Sequence, residues 1–263
     1  MVAQMMKHKV GFVIGGTQKG GTTALHAYLS QHPEIGMSGK KEVHYFDKHF
    51  DKRKLFADGL IGYARYHRNF PFSHDKLIYG ESTPAYMYRY EVPQRIRHYN
   101  PEMKWILLLR NPMDRAFSHW NMQVSRGKEK RSFAQALASE PEKCRDSRKQ
   151  CKNYSYVARG FYTEQLRRIL RHFPREQLLV LRSEELLASA ESTLPVIWKF
   201  LGVGDARITA LSNDEAHVRS YHRRMSPEEL DQLRHIYEYE IRQLERMLNW
   251  DCGDWLASPY LGS

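Results

Sequence analysis

The sequence predicts an α/β fold: a three-layer sandwich with a central parallel sheet. Three observations carry this. Apolar runs of strand length alternate with helical segments along the chain, which implies parallel strands joined by helical crossovers on both faces. One run, Trp105-Ile106-Leu107-Leu108-Leu109, is apolar on both faces, as a central parallel strand should be. Finally, an apolar run from Val10 to Ile14 enters a glycine-rich loop and then a helical start, a strand–loop–helix unit.

Taken in order, the strand at 10–14 is apolar with β-branched positions, and Thr22-Thr23-Ala24-Leu25 begins the first helix. Gly36 to Lys41 reads as a polar, glycine-bearing loop, and Glu42 to Asp47 alternates polar and bulky residues. Residues 48–75 are aromatic and basic and read as short helices and loops over the sheet. Leu77 to Glu81 is a second strand, ended by Pro84, which has no N–H for a ladder. Val92 to Tyr99 is a short helix, Trp105 to Leu109 a strand, and the chain is helical from Asp114. Residues 126–156 are dense in charge and read as a surface insertion. A helix at 161–173, a strand at 178–181 and a helix at 192–201 ended by Gly202 follow. Ser226-Pro227-Glu228-Glu229 starts a last helix running to about Leu248, with proline at its first position. The pattern implies one domain over residues 1–263.

With 41% hydrophobic residues and 12% aromatics, the 263-residue chain can bury a substantial core. Lys and Arg outnumber Asp and Glu by 41 to 30, a net charge of +11 and a pI near 9.5. That balance favours an anionic partner: a nucleotide, a nucleic acid, an acidic glycan or a membrane surface. No apolar stretch approaches the roughly 20 residues that span a bilayer, so no membrane span is expected in the chain as given. Cytoplasmic residence is expected, with the Golgi lumen the alternative if the chain is an excised domain. The three cysteines suggest neither a disulfide scaffold nor a zinc site. Cys144 and Cys151 admit a local bridge or two reduced thiols.

The stretch Gly15-Gly16-Thr17-Gln18-Lys19-Gly20-Gly21-Thr22-Thr23 suits an anion. Its glycines let backbone N–H groups face a phosphate, and the first helical turn adds partial positive charge. It is P-loop-like without matching G-x-x-x-x-G-K-[ST]: Thr22 occupies the lysine position, and the lysine comes earlier, as Lys19. Arg110 follows the strongest strand and Ser118 lies eight residues later, so both belong near the carboxyl ends of the strands, where open parallel sheets bind ligands. Glu42, after Lys40 and Lys41, should stay ionised, and a carboxylate can take a proton from an attacking hydroxyl or amine.

Gly15 to Leu25, followed by Ser30-Gln31-His32-Pro33, resembles the 5′-phosphosulfate loop of sulfotransferases that use 3′-phosphoadenosine 5′-phosphosulfate (PAPS), in the branch with the heparan sulfate sulfotransferases. Leu107-Leu108-Leu109-Arg110-Asn111-Pro112-x-x-Arg115-Ala116-x-Ser118 resembles that family's 3′-phosphate motif. Glu42-Val43-His44-Tyr45-Phe46-Asp47 resembles the segment carrying its proposed base. The resemblance implies a sulfotransferase moving the sulfuryl group from PAPS to a hydroxyl or amine by in-line displacement, with PAP as product and no metal. It implies Lys19, Gly20, Gly21, Thr22, Thr23 and Ala24 at the phosphosulfate and Arg110 and Ser118 at the 3′-phosphate. Glu42 becomes the base, with His44 also catalytic. Lys41, Asp47 and Ser82 fall on the acceptor side, although several members carry lysine where this chain has Ser82. Arg223 and Arg224 correspond to a basic loop over the cofactor, whose glycine-containing form is not reproduced. The acceptor class stays open, with an anionic oligosaccharide one choice and nucleic acid not expected. A P-loop nucleotide kinase would need a lysine after Gly21 and acidic Mg²⁺ ligands. A non-enzymatic polyanion- or nucleic-acid-binding protein would leave the Lys19 loop and Glu42 segment unexplained.

Overall fold

The four apolar runs and one further segment form five parallel strands in a computed structural model that describes residues 9–49, 61–143, 153–211 and 223–257. They are β1 (Phe12–Gly16), β2 (Ile35–Met37), β3 (Ile78–Ser82), β4 (Lys104–Leu109) and β5 (Leu178–Arg182), in the order β2-β3-β1-β4-β5. Ten α-helices accompany them among the described residues: α1 (Thr22–Ser30), α2 (Ile61–His67), α3 (Val92–Tyr99), α4 (Pro112–Ser125), α5 (Phe133–Lys143), α6 (Tyr162–Leu170), α7 (Ser183–Ala188), α8 (Ala190–Leu201), α9 (Pro227–Leu248) and α10 (Gly253–Ala257). A π-helical turn spans Tyr45–His49. The chain divides into two compact units: Met1–Leu109 with Arg168–Val218, and Arg110–Arg167 with Arg219–Ser263. The boundary falls inside α6.

The first unit holds the sheet. Alternate residues of a strand share a face, so Phe12 and Ile14 of β1 and Ile106 and Leu108 of β4 join Leu25 and Leu29 of α1 and Ile197 and Trp198 of α8 in one apolar cluster. On the alternate positions, Trp105 is fully buried and meets Phe173 edge-on at 5.7 Å. Burying each such side chain is worth about 1.5–3 kcal/mol. β1 starts two residues later than expected and runs on to Gly16, while β3 and β4 fall within one residue of expectation. β2 replaces part of the loop expected at 36–41: Ile35, Gly36 and Met37 pair with Ile78, Tyr79 and Gly80. Three residues are too few to leave a period in the sequence, so the pairing itself defines this strand.

The second unit corrects the surface insertion expected at 126–156. Within that stretch α5 carries Phe133, fully buried, with its ring 5.1 Å from Phe117 and 5.5 Å from Trp120 of α4. The high charge count masked this apolar face. Glu129 supports it, accepting from the Arg131 guanidinium and from the Tyr156 hydroxyl at 3.0 Å. α9 begins with a full capping box between Ser226 and Glu229. Cys144 and Cys151 lie outside the described residues; Cys252 is a buried free thiol.

Candidate active site

At the end of β1 the chain turns back on the sheet before entering α1. Thr17 N–H donates to the Leu108 carbonyl at 2.9 Å, and Gly20 N–H to the Thr17 carbonyl at 2.9 Å. A Cβ on Gly20 would stand 2.5 Å from the Leu108 carbonyl oxygen, so only glycine permits this approach to β4. Gly21 caps α1 in the left-handed region at φ 84°. Gly21 has no side chain to cap that helix, and the first turn, with the N–H groups of Thr22, Thr23 and Ala24, carries the positive end of the helix dipole. Lys19 sits in the same loop in the left-handed region at φ 74°, a conformation a non-glycine residue holds only when its surroundings impose it. Two serine hydroxyls brace the loop from behind: Ser183 donates to the Gly20 carbonyl at 3.0 Å and Ser82 to the Thr22 carbonyl at 3.3 Å. The expected substrate contact for Ser82 is therefore corrected. It is fully buried and holds the loop.

The Glu42 segment lies against the end of β3 in the same unit. Glu42 N–H donates to the Ser82 carbonyl at 2.9 Å, and His44 N–H to the Thr83 hydroxyl at 3.4 Å. Thr83 N–H in turn donates to the Ile14 carbonyl of β1 at 3.1 Å. Glu42 and His44 both adopt positive φ, 58° and 56°. The resulting crimp lines four side chains into a chain of charge. Lys41 Nζ stands 3.4 Å from Glu42 Oε1, and His44 Nε2 stands 3.2 Å from Glu42 Oε2. His44 Nδ1 lies 2.9 Å from Asp47 Oδ2. Both ring nitrogens face carboxylates, so both bonds form only when the ring carries two protons. His44 is accordingly pulled above the usual histidine value: burial works against this, but the hydrogen bonds to Asp47 and Glu42 overcome it. The hydrogen bond from His44 brings Glu42 down to about 2, opposed by burial and aided by the Lys41 charge. Asp47 is also lowered; burial opposes this, and the bond from His44 with nearby positive charge outweighs it.

Exposure sorts these groups. The Glu42 side chain is 43% exposed and that of Asp47 only 3%. Glu42 faces solvent while Asp47 lies behind His44, so the expected acceptor contact for Asp47 is corrected to an orienting bond. His26 of α1, absent from the sequence reading, has its value lowered to about 4, by burial and then by the Lys41 charge. It lies one turn beyond Thr22 and Thr23, and helical spacing was the one available signal. Glu81, fully buried in β3, is a second such group, to which sequence reasoning assigns no role.

In the second unit, Arg110 precedes α4, whose cap is Asn111: its side-chain oxygen accepts from Met113 N–H at 3.0 Å. The Arg110 carbonyl accepts from the Tyr162 hydroxyl at 2.8 Å. Ser118, two turns along α4, is 3% exposed. Arg223 corrects an expectation. Its two terminal nitrogens each donate to a Glu229 oxygen at 2.7 Å, and its guanidinium stacks 5.0 Å from the Trp120 ring. A planar fork engaged on both tines by a carboxylate clamps the start of α9, while the Arg223 side chain stays 37% exposed. Arg224 is exposed.

A parallel sheet whose first strand runs into a glycine loop and an uncapped helix defines an α/β protein built to hold a phosphate at the strand's carboxyl end. The family described as "Sulfotransferase domain" matches residues 11–213, and this chain belongs to it. The chain is 33% identical to heparan sulfate glucosamine 3-O-sulfotransferase 5 of Mus musculus over 195 residues, 73% of this chain and 53% of that protein. It is 32% identical to the human 3-O-sulfotransferase 3B1 over 191 residues, 73% of this chain and 45% of that protein. The chain thus spans about half the length of the curated relatives it matches. A solved sulfotransferase from Alicyclobacillus acidocaldarius superposes with a TM-score of 0.78 at 29% identity, covering 94% of this chain and 98% of that one.

Proposed function

We propose that the chain transfers the sulfuryl group of PAPS to a hydroxyl or amine of an anionic oligosaccharide, with Glu42 as the base. The observation that carries this is the Glu42–His44–Asp47 chain tied by Glu42 N–H and His44 N–H to the end of β3, in the unit that holds the Lys19 loop. The loop suits the donor: Gly20 lets the backbone close on β4, and Gly21 at the start of α1 has no side chain to cap the first turn. Lys19 and the N–H groups of Gly21, Thr22, Thr23 and Ala24 would meet the phosphosulfate. When bound, the donor supplies an activated sulfuryl group whose leaving phosphate gathers negative charge, and fixed donors at such a charge are typically worth about 10²- to 10³-fold.

Glu42 is ionised at neutral pH and ready to accept. A carboxylate held at about 2 is a weak base toward a resting alcohol. As the O–S bond forms, however, the acceptor oxygen becomes acidic enough for such a carboxylate to take its proton. His44, protonated between two carboxylates, orients Glu42 and offsets its charge; with both nitrogens already bearing protons it has no lone pair to serve as the base. The names of the relatives support the glycan, as does the +11 charge. The test is sulfuryl transfer from labelled PAPS to heparan sulfate oligosaccharides and to a neutral alcohol, with ATP as competing donor. Transfer to the glycan from PAPS alone is expected. Label accepted only by the alcohol would remove the glycan, and phosphoryl transfer from ATP would replace the reading with a kinase.

A further inference from the structure

Glu81, next to last in β3, is fully buried and, among the described residues, bonded only to neutral hydroxyls. Its Oε1 accepts from Tyr66 at 2.7 Å and from Tyr86 at 3.0 Å, and its Oε2 from Thr83 at 2.6 Å. Two of these hydroxyls then turn to the catalytic segment. The Tyr86 oxygen accepts from Tyr45 N–H at 3.1 Å and Phe46 N–H at 3.4 Å, the opening of the π-helical turn that carries Asp47. The Thr83 oxygen accepts from His44 N–H at 3.4 Å. The aromatic rings of that turn pack on the same hydroxyl-bearing residues: Tyr45 stacks on Tyr66 at 4.9 Å, and Phe46 meets Tyr86 edge-on at 5.7 Å.

We infer that Glu81 is a positioning residue for the Glu42–His44–Asp47 chain, acting through Tyr86 on the turn that presents Asp47 and through Thr83 on the backbone of His44. The geometry requires such a device. His44 is held at positive φ, and the bond that orients its ring comes from Asp47, three residues on. Unless the intervening turn is fixed, that bond is lost. Glu81 accepts from both supporting hydroxyls, aiming each oxygen's lone pairs at the backbone N–H groups. An aliphatic residue could fill the volume but could not orient them. The groups facing Glu81 are Tyr66 of α2, Tyr86 and Thr83 beyond β3, Tyr99 of α3 and, through space, Asp47.

The inference rests on the proposed role of Glu42, and the test separates the two. Tyr86→Phe removes one hydroxyl at constant ring volume, and Glu81→Gln keeps size but replaces one carboxyl oxygen by an amide NH₂ that cannot accept at any pH. For each variant three quantities are read: equilibrium affinity for PAPS, kcat and KM for the acceptor, and the titration of His44 by NMR without substrate. Both variants are expected to keep PAPS affinity within about twofold and lower kcat about tenfold, since small misplacements of reacting groups are costly. Both should also lower the His44 midpoint, and the double variant should be no worse than the more impaired single one. If Tyr86→Phe keeps the wild-type kcat and His44 midpoint, or loses PAPS affinity and kcat together, Glu81 holds only the fold. The His44 titration needs no acceptor, so it decides this inference even if full turnover of Glu42→Gln shows that the base lies elsewhere.

Discussion

Two glutamates in the first unit end up at opposite extremes. Glu42, with its side chain 43% exposed, is held at about 2; Glu81, fully buried near the end of β3, is pushed up to about 7. Both are well hydrogen-bonded. The difference lies in the partners. Glu42 faces an imidazolium and an ammonium, while Glu81 faces three hydroxyls. Burial dominates at Glu81, and the bonds from Thr83, Tyr66 and Tyr86 recover only part of the lost hydration. Neutral donors can orient a buried carboxyl without keeping it charged. A charged partner keeps it charged but restrains its basicity. Under the proposed function, the first arrangement supports the site and the second builds it.

The largest expected effect comes from neutralising the charged carboxylate. Glu42→Gln should keep PAPS affinity and lower turnover by about 10²- to 10⁴-fold, the usual worth of a general base. Turnover and binding measured on the same preparation decide this; parallel loss of both would make Glu42 a donor-site ligand.

Stability against pH comes next. A carboxyl raised from 4.5 to about 7 keeps its proton in the folded state after the unfolded chain has released its own. Its contribution is therefore present below pH 4.5 and lost as pH rises to about 7, by roughly 3 kcal/mol in all. Glu42 acts in the opposite sense: its contribution is present above pH 4.5 and lost as pH falls toward 2. Urea midpoints at pH 5 and pH 7.5 should differ less in Glu81→Gln than in the wild type. An unchanged difference would mean that Glu81 is ionised in the fold.

Arg223 extends the comparison to the second unit, where Glu229 is lowered because the guanidinium clamp outweighs its burial. Arg223→Lys replaces a bidentate, stacked cation with a point charge and should cost about 1 kcal/mol, the pair being partly solvated. PAPS affinity should hold. A large loss of affinity would return Arg223 to the donor site.

The smallest effect is at Lys41. Lys41→Met should raise the KM for an anionic oligosaccharide by about two- to fivefold at low salt and leave a neutral acceptor unaffected, because a partly solvated charge such as Lys41 acts weakly and is screened over about 10 Å at 0.1 M salt. Equal effects on both acceptors would assign Lys41 to Glu42 alone.

By itself the sequence determined the parallel α/β sheet, the loop between β1 and α1, and the identity of Glu42, His44 and Arg110 as groups to inspect. These are encoded within short windows: an apolar strand, glycines where backbone must approach backbone, a charged residue just past a strand end. α3 and α9 were legible to the residue because Val92-Pro93 and Ser226-Pro227 mark their starts locally. Tertiary structure alone decided β2, which exists because β3 offers it an edge, and the buried face of α5, which exists because Phe117 and Trp120 stand opposite Phe133. It likewise turned Ser82 inward to brace the loop, gave Arg223 to Glu229, and set Glu81 among hydroxyls drawn from α2 and the turn beyond β3. A side chain's charge is written in the sequence. Whether that charge survives, and what it faces, depends on burial and partners brought together from distant positions.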